Sequence, residues 1–344
     1  MYFIVRPNSN GNLRLDTGEV LFPNLEDIDI KYDSDLFIEL CRLLQITNIH
    51  VNHTVGYDEN FVDVIIDAKN KLQIPIVYTL HDYFVFCPLC NLFGNNDQAC
   101  LEINLDKCGL CSKKWGLIPA HKQRELYSKL LNAASRITVP NLDVQKRILS
   151  VYPSLEIDVV PHEENSNLYN LPVDVEGGNE SLRLGFIGAI NKAKGSLFIR
   201  KLGEFFKNES IDKSVELFVM GYTDRDQELK NVGVEVLGKY NSEQEVRKWI
   251  VKNKVNALMI PSIWPETYCY TLSIALRTGL PVFTFDIGAQ AERMVAAGRK
   301  NFLIPIQKVN DFQFIVNFIN QKRKSSRSFP KMDKQEVPLN RYYE

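Results

Sequence analysis

The stretch Pro261-Ser262-Ile263-Trp264-Pro265-Glu266-Thr267-Tyr268-Cys269-Tyr270-Thr271-Leu272-Ser273-Ile274-Ala275-Leu276-Arg277-Thr278-Gly279-Leu280-Pro281-Val282 decides the fold. The apolar run Ala257 to Ile260 just before it reads as a strand. Thr271 to Thr278 reads as a helix, and Pro281 to Phe285 as a second strand. Strand, loop, helix and strand in that order form the unit of a parallel sheet. The pattern places Glu266 on a loop at the carboxyl end of a strand, where such sheets bind ligands. The helix starting near Thr271 turns its N-terminal N–H groups to the same place, which suits phosphate. A carboxylate beside them suits sugar hydroxyls.

The same alternation extends outward in both directions. Toward the N-terminus, helices are expected over Ser34 to Gln45, with Ser34 as N-cap, through the face Phe61, Val64, Ile65, Ala68 and Leu72, and over Lys122 to Ala134. A further helix opens at Asn141. Strands are expected at Ile46 to Val51, Ile74 to Leu80, Ile137 to Val139 and Ile157 to Val160. After the polar stretch Asn165 to Asn179, the reading is strand Leu182 to Ile187, helix Gly195 to Phe206, strand Val215 to Met220, and a capping box at Ser242 before a helix through Val251. The expectation is an α/β protein with two doubly wound, Rossmann-like domains facing across a cleft. Residues 1–165 form the N-terminal domain, 166–320 the C-terminal domain and 321–344 a basic tail. The first 30 residues fit this scheme poorly. They read as short strands at Phe3 to Pro7, Leu13 to Leu15 and Val20 to Phe22, joined by Asn-Gly and Thr-Gly turns.

With 344 residues the chain is long enough for two domains at roughly 150 residues each. Its 41 Lys+Arg and 42 Asp+Glu leave a net charge of -1, which argues against a nucleic-acid partner. No apolar run approaches the ~20 residues that span a bilayer. The start, Met1 to Pro7, lacks a secretory leader, so the expectation is cytoplasmic. The tail residues Lys322, Arg323, Lys324, Arg327 and Lys331 read as a solvated segment. They are also suited to contact with an anionic membrane surface, which would place the protein peripherally at the inner membrane face.

The Glu266 segment strongly resembles the donor-binding signature of family 4 glycosyltransferases, which have the GT-B fold, and especially bacterial polysaccharide or O-antigen rhamnosyltransferase-like modules. In that family a Glu, seven residues and a second Glu follow a Pro-Ser strand end. The resemblance implies that Glu266 contacts the transferred sugar. The second Glu falls on Ile274, which cannot hold a ribose by hydrogen bonds. Gly188-Ala189-Ile190-Asn191-Lys192-Ala193-Lys194-Gly195 is the second match. By resemblance Lys194 neutralises the donor diphosphate, whereas the family's frequent Arg after the first Gly is here Ala189. The third is His81-Asp82-Tyr83-Phe84-Val85-Phe86-Cys87-Pro88, in which the resemblance places His81 near the reacting sugar. Pro161-His162-Glu163 is read as interdomain structure. Asp286-Ile287-Gly288 is read as a turn over the donor. The expected catalytic residues are Glu266, His81 and Lys194. Donor binding is expected from Gly188, Lys194, Glu266, Thr267, Tyr268, Tyr270 and Thr271.

Five of the seven cysteines lie between positions 87 and 111, which in a reducing compartment points to metal before disulfide. Cys87, Cys90, Cys108 and Cys111 give Cys-x2-Cys-x17-Cys-x2-Cys, a zinc spacing. The resemblance implies a different quartet: Cys87, Cys100, Cys108 and Cys111. Either set would be a closed structural zinc site, and no catalytic metal is expected.

The resulting expectation is a retaining glycosyltransferase. It moves a sugar from a nucleotide-sugar donor to a glycan or lipid-linked glycan acceptor in bacterial surface polysaccharide assembly. The altered first βα unit suggests a shortened transferase or one module of a larger enzyme. The alternative, supported by Ile274 and Ala189, is a degenerate GT-B module acting as a sugar- or nucleotide-binding scaffold. A hydrolase or phosphorylase on the same fold is a weaker rival.

Overall fold

The computed structural model describes residues 4–7, 13–16, 34–57, 59–94, 98–101, 103, 108, 111–113, 118–162, 181–208 and 215–325. The expected strand at 20–22, the linker at 165–179 and the tail beyond 325 lie outside the described residues. The chain opens with β1 (Ile4–Pro7) and β2 (Leu13–Asp16), which pair antiparallel as a two-stranded sheet of their own. This hairpin stands where a doubly wound domain usually has its first strand, loop and helix.

The N-terminal domain then runs α1 (Ser34–Leu43), β3 (Ile49–Val51), α2 (Asn60–Leu72), β4 (Ile76–Thr79), α3 (Ala120–Ala133), β5 (Arg136–Val139), α4 (Leu142–Leu149) and β6 (Asp158–Val159). Its strands pair in parallel in the order β3-β4-β5-β6. β4 is buried along its whole length, as a parallel strand covered by helices on both faces must be. The helices contribute apolar stripes to one core, among them Phe61, Ile65 and Ala68 of α2 and Leu130 and Leu131 of α3. Asn141 caps α4 by accepting the N–H of Val144 at 3.0 Å.

The C-terminal domain comprises β7 (Leu182–Ile190), α5 (Ser196–Asn208), β8 (Val215–Thr223), α6 (Asp226–Asn231), β9 (Val234–Val236), α7 (Glu243–Lys252), β10 (Ala257–Ile260), α8 (Tyr270–Arg277), β11 (Val282–Phe285), α9 (Gly288–Ala296), β12 (Leu303–Ile304) and α10 (Phe312–Ser325). Its six parallel strands lie in the order β12-β11-β10-β7-β8-β9. The chain winds from β7 out to β9, then returns to β10 and winds the other way. The order reverses between β7 and β10, and the crevice outside that reversal is where doubly wound sheets take ligands. The segments after β7 and β10 carry Lys194 and Glu266.

Of the basic residues after Ile319, Lys322, Arg323 and Lys324 belong to a helix, and Arg327 and Lys331 lie outside the described residues. α10 continues to Ser325, and Arg323 is buried and donates from Nε to Asn320 Oδ1 at 3.0 Å. Lys322, Arg323 and Lys324 occupy its last turn, where positive charge is favoured by the helix dipole. A run of like charge therefore belongs to a helix end here.

Candidate functional site: the cleft between the two sheets

Four segments meet between the domains, each at the carboxyl end of a strand. After β7, Gly195 has φ +97 and a Cβ there would lie 2.2 Å from the carbonyl oxygen of Pro261. Only glycine allows the Lys194 turn to press against the strand end that delivers Glu266. Asn191 Oδ1 accepts the Lys194 N–H at 3.0 Å and fixes this turn. After β10, Glu266 is buried, at 6% exposure. Ser262 donates its hydroxyl to Glu266 Oε1. The Glu266 N–H donates to Gln290 Oε1 at 3.2 Å, and the Ala289 N–H to the Glu266 carbonyl at 2.9 Å. A carboxylate held in this way keeps one direction.

The segment between Glu266 and α8 is tied down by Arg293. Its guanidinium donates to the carbonyls of Tyr268 and Cys269 at 3.1 and 2.9 Å and to Ser273 Oγ at 2.7 Å. It also lies 4.2 Å from the Tyr268 ring centroid. Cys269, just before α8, takes φ 69, and burial pushes its thiol up to about 12, with Glu266 adding to the shift. Buried and protonated, it is a packing residue.

From the first domain come His81 after β4 and His162 after β6. Hydrogen bonds close the seam: Thr267 donates to the His81 carbonyl at 2.6 Å, Tyr268 OH to the His162 carbonyl at 3.3 Å, and Asn141 Nδ2 to the Thr267 carbonyl. A pocket of about 280 Å³ results, lined by His81, His162, Lys194 and the run from Glu266 through Thr271, with Trp264. Burial lowers both imidazoles to about 4. The pocket therefore offers one cation, one carboxylate, two neutral imidazoles and two tyrosines. That set suits a phosphate joined to a polyhydroxylated ring.

All the residues read as catalytic line this pocket, as do the expected donor-binding residues except Gly188. Gly188 sits one layer behind, and a Cβ there would lie 3.0 Å from Thr271 Cγ2. Ile274 packs against the C-terminal core, and Ala189 is exposed at the end of β7. The sequence reading missed His162 as a pocket residue, having placed Pro161-His162-Glu163 in interdomain structure. It also passed over Arg293, whose only sequence signal is its place in a helix behind the loop.

The cysteine-rich loop lies beside the N-terminal core. Burial raises the Cys87 thiol to about 11, with smaller contributions from Cys108 and Cys100, and raises Cys90 to about 12. Arg124 donates to Cys108 Sγ at 3.2 Å. Among the described residues, no three His, Cys, Asp or Glu side chains gather as ligands of one ion. Among the described residues, no helix is long and apolar enough to cross a membrane.

Two parallel α/β domains facing across a cleft, the second doubly wound with Lys194 and Glu266 flanking its reversal, make up the GT-B fold. Residues 181–317, the second of these domains, match the family model of glycosyl transferases group 1. Anabaena HepE, solved in complex with UDP-glucose, superposes with a TM-score of 0.53 at 14% identity over 84% of this chain and 74% of that one. A point mutant of S. aureus TarM, solved with Fondaparinux, alpha-GlcNAc-glycerol and UDP, gives 0.56 at 13% identity over 93% of this chain and 57% of that one. An uncharacterized 42.6 kDa protein in the cps region of Klebsiella pneumoniae is 22% identical over 282 residues, covering 80% of this chain and 67% of its own length.

Proposed function

We propose that the protein is a retaining glycosyltransferase that takes a sugar from a nucleotide-sugar donor, with UDP as the nucleotide. The observation that carries this reading is the convergence of Lys194 and Glu266 on one pocket from the two strands that flank the sheet reversal. The group 1 family model over 181–317 supports it, as do the UDP complexes of HepE and TarM. In this reading Lys194 and the N-termini of α5 and α8 stabilise the departing diphosphate without a catalytic metal. Glu266 holds the sugar by its hydroxyls. The acceptor hydroxyl attacks from the leaving-group side, and its proton passes to the departing phosphate oxygen. Positioning and fixed electrostatics supply most of the rate.

The acceptor is a glycan or lipid-linked glycan approaching from the first domain. The setting is bacterial surface polysaccharide assembly at the cytoplasmic membrane face, with which the cps-region relative is compatible. Donor consumption with and without a glycan acceptor tests the reading. Transfer needs the acceptor, and a hydrolase needs only water. A scaffold binds UDP and consumes nothing, and that outcome would transfer the case to the reading that Ile274 favours. An O-antigen rhamnosyl specificity would appear as preference for a rhamnose donor over UDP-glucose.

A further inference from the structure

His162, just beyond β6, is held on its ring and on its backbone. Its Nε2 lies 3.1 Å from His81 Nδ1, and the two rings stack with centroids 4.7 Å apart. Tyr270 lies parallel to it, 5.9 Å away at 5°, and Tyr268 is tilted against it at 4.8 Å. The Tyr268 hydroxyl holds its carbonyl at 3.3 Å. A ring gripped in this way has one orientation.

The proton positions follow from chemistry. His81 Nε2 lies 3.1 Å from Asn52 Oδ1, and an amide oxygen only accepts. His81 therefore carries its proton on Nε2. In a neutral ring its Nδ1 is then a lone pair, so His162 must donate to it from Nε2. His162 Nδ1 is left as a lone pair, and among the described residues nothing donates to it. His81 spends both nitrogens inside the protein, whereas His162 keeps one.

The pair stays neutral for reasons of place. Burial dominates for both rings. His81 and Arg293 disfavour charge on His162, and His50 and His53 oppose Asp82 around His81. Lys194 and Glu266 line the same pocket.

We propose that His162 is a substrate contact whose Nδ1 accepts a hydrogen bond from a hydroxyl of the donor sugar, oriented for that purpose by the relay through His81 to Asn52. The proposal rests on the glycosyltransferase reading. It makes the pocket selective for sugars that keep a hydroxyl at the ring position facing His162. Glu266 and His162 then both accept from the sugar, and Lys194 faces the phosphate.

The test uses the full-length chain with 15N-labelled histidine. NMR should show His162 protonated on Nε2 and bare on Nδ1 at neutral pH. UDP-glucose should move the Nδ1 resonance, and UDP alone should not. Two variants separate the two nitrogens. His162→Gln keeps a donor near Nε2 and lacks the Nδ1 lone pair, whereas His162→Asn keeps an acceptor near Nδ1. The Gln variant should bind UDP-glucose roughly five- to tenfold more weakly with UDP binding unchanged, and the Asn variant should lose less. A proton on His162 Nδ1 overturns the proposal, as does a Gln variant that binds UDP-glucose as well as the parent. A parent protein that binds neither UDP nor UDP-glucose removes the UDP-sugar reading on which the proposal rests, a failure distinct from a proton found on His162 Nδ1.

Discussion

Exchanging Glu266 for Gln keeps the side chain's shape and its bond from Ser262 and removes only the charge. If the carboxylate steadies the sugar as charge develops, Glu266→Gln should lower transfer on the order of 10²–10³-fold while UDP binding holds. Lys194→Ala should do the reverse at the phosphate, weakening UDP on the order of ten- to a hundredfold. A binding titration beside a rate assay separates the two, and equal loss of UDP affinity in both variants would contradict the assigned roles. His81 and His162 add a dependence on pH. Both are held at about 4 in the fold, against an ordinary 6.5 in the unfolded chain. Between these values the unfolded state binds more protons, so stability should be full above about pH 6.5 and fall as pH drops toward 4. One such group contributes on the order of 3 kcal/mol. His53 acts in the opposite sense, because its bond to Asp82 raises it. Urea midpoints at pH 5 and pH 7 should differ, and His162→Asn should reduce the difference. These residues were unequally legible in the sequence. Glu266 and Lys194 sit in patterned strand–loop–helix units, so their address follows from local rules. His162 is one histidine after a two-residue strand, and only the pairing of β6 onto β5 brings it into the cleft.

At the scale of elements, α4 and α9 make the firmest contact across the seam. The Glu292 carboxylate accepts the N–H groups of Leu142 and Asp143 at 3.1 and 2.8 Å. An acid of one domain thus caps a helix of the other, with the dipole adding to the hydrogen bonds. Glu292→Ala should cost about 1–2 kcal/mol, and Glu292→Gln less, as read by thermal unfolding. Equal losses in the two variants would mean that packing, not capping, holds the seam. The cysteine loop is tested differently. We propose the quartet Cys87, Cys100, Cys108 and Cys111 as a structural zinc site, on the sequence pattern of four cysteines between positions 87 and 111. About one zinc per chain should co-purify, and a Cys108→Ser variant should lose it. Metal-free protein with unchanged stability would make these plain buried thiols. Long amphipathic or wholly apolar elements such as α2, α5 and β10 were readable because burial imposes their period. β9, α6 and β12 were not, since three or two strand residues and a six-residue helix carry too little pattern to stand out. The helical placing of Lys322 to Lys324 was not read for a related reason, because a basic run at a helix end looks like a solvated segment until the apolar face of Ile315, Val316 and Ile319 is followed into the core.

The described residues form two hydrophobic cores, one per domain, joined by a seam of hydrogen bonds and side-chain packing, with Trp264 against the first core and Tyr268 and Tyr270 against His162. Cores that do not merge can unfold independently once the seam is weakened, because each buries its own sheet and helices. The seam bonds described above run through Asn141, Thr267, Tyr268 and Glu292. The combined change Asn141→Ala, Thr267→Val and Glu292→Ala should therefore split one calorimetric transition into two without destroying either domain. UDP then becomes a reporter of where the nucleotide sits. If Lys194 and the second sheet hold it, saturation at about 100 times its dissociation constant adds roughly 2.7 kcal/mol to that domain alone. At about 2–4 °C per kcal/mol, the C-terminal transition should rise by roughly 5–10 °C while the N-terminal one stays. A nucleotide sugar placed between Glu266 and His162 should also draw the N-terminal transition upward, since its sugar touches both domains. Movement of both transitions with UDP alone would place nucleotide contacts in the first domain and overturn the division of labour. Movement of the C-terminal transition with UDP, and of both with UDP-glucose, would show that the sugar, more than the nucleotide, closes the cleft.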